Sequence, residues 1–177
     1  MTETAQLRRH LVIIEDEEDT RDLLVSVVSH LGYDVTSYRH PLEFLTNMDQ
    51  PTVATPHAIL SDISMPHMNG IEMLTKIRAA GNNTPVVFLT GYGSLETVIN
   101  AVRLGACDFL MKPCEMNEID MVVTRALEIG FRQLQASNII ASLKASHPET
   151  IPTLEKLDQL QHNQVLMKAM NTLRRVS

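Results

Sequence analysis

Cys107 and Cys114 are the only cysteines in the 177-residue chain. They stand seven apart with no Cys or His companion at metal-ligand spacing, so neither a disulfide framework nor a zinc site is expected; reduced cytosolic thiols are. The seven histidines are scattered and show no pair at a metal spacing. No apolar run approaches the roughly 18 residues that cross a bilayer. The opening residues, MTETAQLRRH, contain no apolar stretch of the kind a secretory signal needs. Basic residues are few: Arg174-Arg175 is too little for nucleic acid, and no helix rich in Arg, Lys, Asn and Gln stands out. No ATP-binding motif is found. Export, a membrane contact, DNA binding and nucleotide-driven catalysis are therefore not expected, and the reading is of a cytoplasmic protein.

What is present is unevenly charged. Residues 1–130 carry 9 Lys+Arg against 18 Asp+Glu, a net of −9, whereas residues 131–177 carry 6 against 3, a net of +3. An acidic head and a mildly basic tail suggest two parts with different partners, or a tail whose charges are merely solvated.

The first 115 residues alternate short β-branched runs with longer amphipathic ones. HLVIIE (10–15), YDVTSY (33–38), HAILSD (57–62), PVVFLT (85–90) and ACDFLMKP (106–113) read as strands. DEEDTRDLLVSVVSHLG carries a helix with acidic residues in its first turn. Leu23, Leu24, Val27, Val28 and Leu31 form its stripe and Gly32 its end. PLEFLTNM begins a short helix with Pro41 near its first position. GIEMLTKIRAAG and SLETVINAVRLG are helices, and from Glu115 the pattern is helical. Asn69-Gly70 reads as a turn signal. Met73, Met111 and Met121 are expected to pack on apolar faces, Cys107 within a strand and Cys114 nearer the surface. Five strand–helix units with short connections predict an α/β fold, a five-stranded parallel sheet covered on both faces. In such a sheet, function gathers at the carboxyl ends of the strands.

Those ends carry a consistent set: Glu15-Asp16, Asp62, Thr90 and Lys112-Pro113. Adjacent parallel strands lie about 4.8 Å apart, so Glu15, Asp16 and Asp62 can converge. Two carboxylates about 4 Å apart repel by roughly 4 kcal/mol at an effective dielectric near 20, so the cluster calls for cations. Lys112 is one; a hard divalent ion with oxygen ligands, Mg²⁺, is the other. Glu17, Glu18 and Asp19 are expected simply to sit at a helix amino terminus. A carboxylate can attack phosphorus and form an aspartyl phosphate. A metal, a lysine and a hydroxyl such as Thr90 would then divide the phosphoryl oxygens among them, with Asp62 as nucleophile.

The set VIIEDEEDTRDLL, ILSDISMPHMNGIEML, PVVFLTGYGS and GACDFLMKP, over roughly residues 8–130, resembles the receiver domain of two-component response regulators. The resemblance implies a flavodoxin-like, doubly wound sheet of order 2-1-3-4-5. It implies that Asp62 accepts a phosphoryl group from a phosphohistidine of a sensor histidine kinase or phosphotransfer protein. Mg²⁺ would be held by Asp16 and Asp62, by the backbone carbonyl of Ser64, and at Glu15, which stands where the family usually has aspartate. Thr90 and Lys112 would bind the phosphoryl group, Phe109 would turn inward as the switch, and Pro113 would follow a cis bond. Ser64 and Tyr92 occupy rate-modifying positions. The product would be a phosphoprotein switch with slow self-dephosphorylation, not an enzyme.

Past the receiver, Ile119, Val122, Ala126, Ile129, Ala136, Ile140 and Leu143 recur at spacings of three and four, with Gln133 in the one gap. The last helix is expected to run on to Ser146, roughly 45 Å from Glu115 at 1.5 Å per residue. Pro148 and Pro152 interrupt it, and a second amphipathic helix follows. The expected organisation is a receiver over 1–130 and a helical extension over 131–177. Residues 116–177 would form a homodimer through a coiled coil or helix bundle, with the tail folded back on its own domain as the alternative. The output would be contact with a downstream protein. Three other readings stand beside it: a fragment of a longer regulator, an aspartyl-phosphate hydrolase (against which Ser64 stands where a second acid is wanted), and a phosphotransfer hairpin using His147.

Overall fold

A computed structural model describes residues 9–48, 50, 55–91 and 95–146. Among them, strands and helices alternate without exception: β1 (His10–Ile14), α1 (Glu18–His30), β2 (Asp34–Tyr38), α2 (Pro41–Met48), β3 (Ala58–Asp62), α3 (Gly70–Ala79), β4 (Val86–Thr90), α4 (Leu95–Arg103), β5 (Asp108–Met111) and α5 (Met116–Ser146). The strands form one parallel sheet in the order β2-β1-β3-β4-β5, the doubly wound arrangement expected.

Side chains of period two sort the core into two layers. On one face Leu11, Ile13, Leu60, Val87 and Leu89 pack with Leu24, Val27 and Val28 of α1 and with Ile119, Val122, Val123, Ala126 and Leu127 of α5. On the other, Val12, Ile14, Ile59 and Phe88 meet Phe44 of α2, Met73, Leu74 and Ile77 of α3, and Ala101 of α4. Burial of each large apolar side chain stabilises by about 1.5–3 kcal/mol. Because β3 and β4 are buried at every position, a polar group at their ends is held by a rigid frame.

Several expectations are corrected. Leu23 is 62% exposed and outside the α1 stripe, which Leu24, Val27 and Val28 make. Met111 and Met121 do not pack: they are 71% and 66% exposed, while Met73 is fully buried. Cys107 precedes β5 instead of lying in it, half-buried against the core. Asn69-Gly70 is a helix start and not a free turn. Asn69 and Glu72 form a reciprocal capping box, and a Cβ on Gly70 would lie 2.5 Å from the Asp62 carbonyl oxygen. Ile119, Val122 and Ala126, the first part of the supposed dimer seam, face the sheet. The three-and-four spacing there reports a helix packed on its own core.

The chain divides into two compact units, Met1–Arg132 and Gln133–Ser177. In the second, α5 is described as far as Ser146, with Ile140 half-buried and Ile139 exposed. The expected second helix and His147 lie outside the described residues. No helix among the described residues is long and apolar enough to cross a membrane.

Candidate functional site

The parallel register sets Ile14 beside Ser61, Asp62 beside Leu89, and Thr90 beside Met111. Four strand ends thereby meet on one rim. Glu15 and Asp16 follow β1, Asp62 ends β3, Thr90 ends β4 and Lys112 follows β5. Ligand atoms of Glu15, Asp16 and Asp62 lie within 4.8 Å of one another. The Lys112 ammonium donates to Asp62 Oδ2 at 2.5 Å and to Glu15 Oε2 at 2.7 Å. These residues are separated by up to 97 positions in the chain, so the sheet, not local sequence, makes the cluster.

Asp62, Glu15 and Lys112 are each braced. The Ser64 amide donates to Asp62 Oδ1 at 3.0 Å, and the Ser61 hydroxyl donates to the Asp62 carbonyl at 2.8 Å. Glu15 is wholly buried, and its Oε1 accepts from the Glu17 amide at 3.3 Å. The Lys112 amide donates to the Thr90 carbonyl at 2.8 Å, and the Lys112-Pro113 peptide bond is cis. Thr90, one residue past the Leu89 that pairs with Asp62, is buried, and the Phe109 ring is half-buried, 6.2 Å from that of Phe88. Tyr92 lies outside the described residues.

The charges are unequal in their surroundings. Burial pushes the Glu15 carboxyl above its ordinary range, and the bond and charge of Lys112 pull against it. Burial alone would lower the Lys112 ammonium; bonds to Asp62 and Glu15 and their charges more than reverse this, leaving it raised. A buried ion pair of this kind gains little net stability, because desolvation offsets attraction. Its value is in geometry. Three carboxylates and one ammonium leave two negative charges unbalanced, the amount one divalent cation carries. Hard oxygen donors in that number fit Mg²⁺, so the donor set suits the ion.

Two contributors were not legible beforehand. Ser61 and Arg21 act through backbone carbonyls: Arg21 donates to the carbonyl of Glu15 at 2.9 Å and reaches that of Asp16 at 3.5 Å. Bonds to main-chain oxygen leave no pattern in side-chain types. Gly70 was visible as a glycine, but not the close approach to Asp62 that requires it.

The model of the response regulator receiver domain matches residues 11–124. The regulatory protein AtoC of Escherichia coli is 29% identical over 77% of this chain and 29% of its own length. The response regulator protein TmoT of Ectopseudomonas mendocina is 26% identical, over 77% and 61%. The transcriptional regulatory protein FixJ of Bradyrhizobium diazoefficiens is 30% identical, over 84% and 73%. This chain thus spans less than two thirds of the first two. Among solved structures, FixJ-N superposes with a TM-score of 0.63 at 29% identity, covering 70% of this chain and 96% of that one. The chemotaxis protein CheY4 of Vibrio cholerae does so at 0.62 and 24% identity, over 67% and 98%, a likeness of fold.

Proposed function

The chain belongs to the response regulator receiver domain family, and from that premise we propose that Asp62 is the phosphoacceptor of a two-component switch. The observation that carries the reading is Lys112 bonded at once to Asp62 and Glu15, with the Asp16 carboxylate in the same cluster. An Asp62 carboxylate oxygen attacks phosphorus of a phosphohistidine on a sensor histidine kinase or phosphotransfer protein. A P–O bond forms, the P–N bond breaks, and the imidazole departs. Asp16, Asp62 and the Ser64 carbonyl, with Glu15 beside them, would hold Mg²⁺, which would supply positive charge against the phosphoryl oxygens. Lys112 transfers its hydrogen bond from the Asp62 carboxylate to a phosphoryl oxygen, and the Thr90 hydroxyl donates to another. The space that Thr90 leaves is filled by Phe109 turning inward from its place against Phe88. Pro113 aims Lys112. Ser64 and Tyr92 occupy the rate-modifying positions, and hydrolysis of the aspartyl phosphate by water makes the chain a self-resetting switch and not an enzyme.

Residues 1–130 are the receiver and 131–177 the extension. With Ile119, Val122 and Ala126 committed to the core, the homodimer contact falls to the later part of α5, with Ile139 among its exposed apolar residues, and to residues beyond it. The product acts in the cytoplasm on a downstream protein. A second reading, that the chain is one piece of a longer regulator, is favoured by its span of 29% of AtoC and 61% of TmoT. Beryllofluoride with Mg²⁺ mimics the phosphoryl group and tests the switch. It is expected to shift the amide resonances of Thr90 and Phe109 and to raise the mass seen by light scattering. Asp62→Asn is expected to do neither; equal behaviour of the two proteins refutes the reading.

A further inference from the structure

We propose that Arg21 is a positioning residue that aims the Asp16 carboxylate by tying down the backbone of the turn between β1 and α1. The inference rests on the metal reading above and concerns how this chain builds that site. Three carboxylates converge, but they are not held alike. Glu15 is fixed at both oxygens, Oε1 by the Glu17 amide at 3.3 Å and Oε2 by Lys112 at 2.7 Å. Asp62 is fixed at both, Oδ1 by the Ser64 amide at 3.0 Å and Oδ2 by Lys112 at 2.5 Å. For the Asp16 carboxylate no hydrogen bond or ion pair is found among the described residues. With no side-chain bond to hold it, what the fold sets is the point on the backbone from which it projects.

That backbone sits in a turn with only part of the usual anchor. The side chain of Glu17, the residue before α1, accepts from the Thr20 hydroxyl at 2.7 Å but from no backbone N–H of the helix, although a bond to backbone is the common way to fix a helix start. Arg21 supplies a tie from inside the helix. Its own amide donates to the Glu17 carbonyl at 2.9 Å, which seats it one turn in. From there its half-buried guanidinium donates to the Glu15 carbonyl at 2.9 Å and reaches the Asp16 carbonyl at 3.5 Å. Both contacts come from one guanidinium nitrogen, Nη1, at the end of a long, always-charged side chain; lysine keeps the charge but places its single nitrogen differently.

The sign of one measurement separates positioning from mere charge. Removal of a cation from beside a divalent-ion site should tighten binding by Coulomb's law. Loss of a positioning contact should weaken it, by about tenfold for a partner that orients a ligand. Mg²⁺ alone is titrated calorimetrically into the full chain, into Arg21→Met and Arg21→Lys, and into Arg39→Met. Arg39 is an exposed cation 3.7 Å from Glu18 and serves as the charge control. Amide hydrogen exchange is recorded on the metal-free proteins. The expected result is about tenfold weaker Mg²⁺ binding in Arg21→Met, a smaller loss in Arg21→Lys, and no loss in Arg39→Met. Exchange at Asp16 and Glu17 should quicken in both Arg21 variants while β3 stays protected. If Arg21→Met does not fold, Arg21→Lys carries the test. Unchanged or tighter Mg²⁺ binding in folded Arg21 variants overturns the proposal and leaves the metal reading intact. A wild-type chain that binds no Mg²⁺ overturns the metal reading, and with it the role assigned to Arg21.

Discussion

The two rims of the sheet bury polar groups in opposite ways. At the carboxyl rim, Glu15, Asp62 and Lys112 come from different strand ends and hold one another as charges. At the amino rim, burial favours the neutral form of two histidines: His57 is met by backbone, while His10 Nε2 lies 2.9 Å from the Thr36 hydroxyl and its buried Nδ1 has no hydrogen-bond partner among the described residues. The His57 Nδ1 accepts from the His10 amide at 2.9 Å, and the His57 amide donates to the His10 carbonyl at 2.8 Å. The Phe131 ring lies 5.5 Å from the His57 ring, and the Arg9 guanidinium sits 5.4 Å over Phe131. One rim stores charge that a ligand or covalent group can reorganise. The other locks α5 onto the sheet and leaves little to reorganise.

The largest expected effect breaks the amino rim. A Cβ on Gly130 would lie 1.6 Å from the His57 carbonyl oxygen, and the obstacle is backbone, which cannot rotate aside. Gly130→Ala should lower unfolding free energy by about 3 kcal/mol or more, read from urea titration. It should leave Mg²⁺ binding to the remaining folded chain unchanged, since the carboxyl rim is built from other elements.

A comparable but smaller loss is expected at the carboxyl rim. Lys112→Met leaves Glu15 buried without its cation and should cost about 3 kcal/mol at neutral pH. The raised Glu15 carboxyl then offers relief as pH falls, because taking up a proton removes the buried charge. Urea midpoints measured at pH 5 and pH 7 should therefore draw closer to wild type at the lower value.

The smallest effect sharpens the contrast by its sign. His10 and His57 both titrate below the ordinary value of 6.5, chiefly through burial, with His57 acting on His10 and Arg9 on His57. Asp34 opposes the shift at His10. The unfolded chain then binds protons more readily, so the stability these residues contribute is complete above pH 6.5 and lost as pH falls through their folded values. Glu15 runs the other way. Its raised folded pKa contributes stability that is complete below 4.5 and lost as pH rises through the folded value. His57→Gln should flatten the fall in urea midpoint below pH 6.5 and leave the Glu15 contribution in place.

How much of this the sequence could reveal depended on how each residue acts. Asp62 and Lys112 were legible because a charge that ends an apolar strand has no bland explanation. The alternation of strands and helices and the length of α5 followed from periodicity and connection length, whereas the sheet order came with the family resemblance. The bond between Glu15 and Lys112 was not legible, since it depends on how far a glutamate reaches across two strands. Arg21 and Ser61 speak only to carbonyl oxygens, which every residue has. The seam through Ile119, Val122 and Ala126 was misassigned because a helix on its own core and a helix in a coiled coil share the same spacing. Met111 and Met121 misled for a simpler reason: thioethers are tolerated in solvent as well as in cores.

The account depends most on Asp62 as the atom donor to phosphorus. Acetyl phosphate and Mg²⁺ added to the full chain, followed by mass mapping of the hydroxylamine-labile adduct, tests it directly. The account predicts a single phosphoryl group on Asp62, with Asp62→Asn unlabelled. Labelling elsewhere, or a chain that stays unlabelled while it binds Mg²⁺, contradicts it.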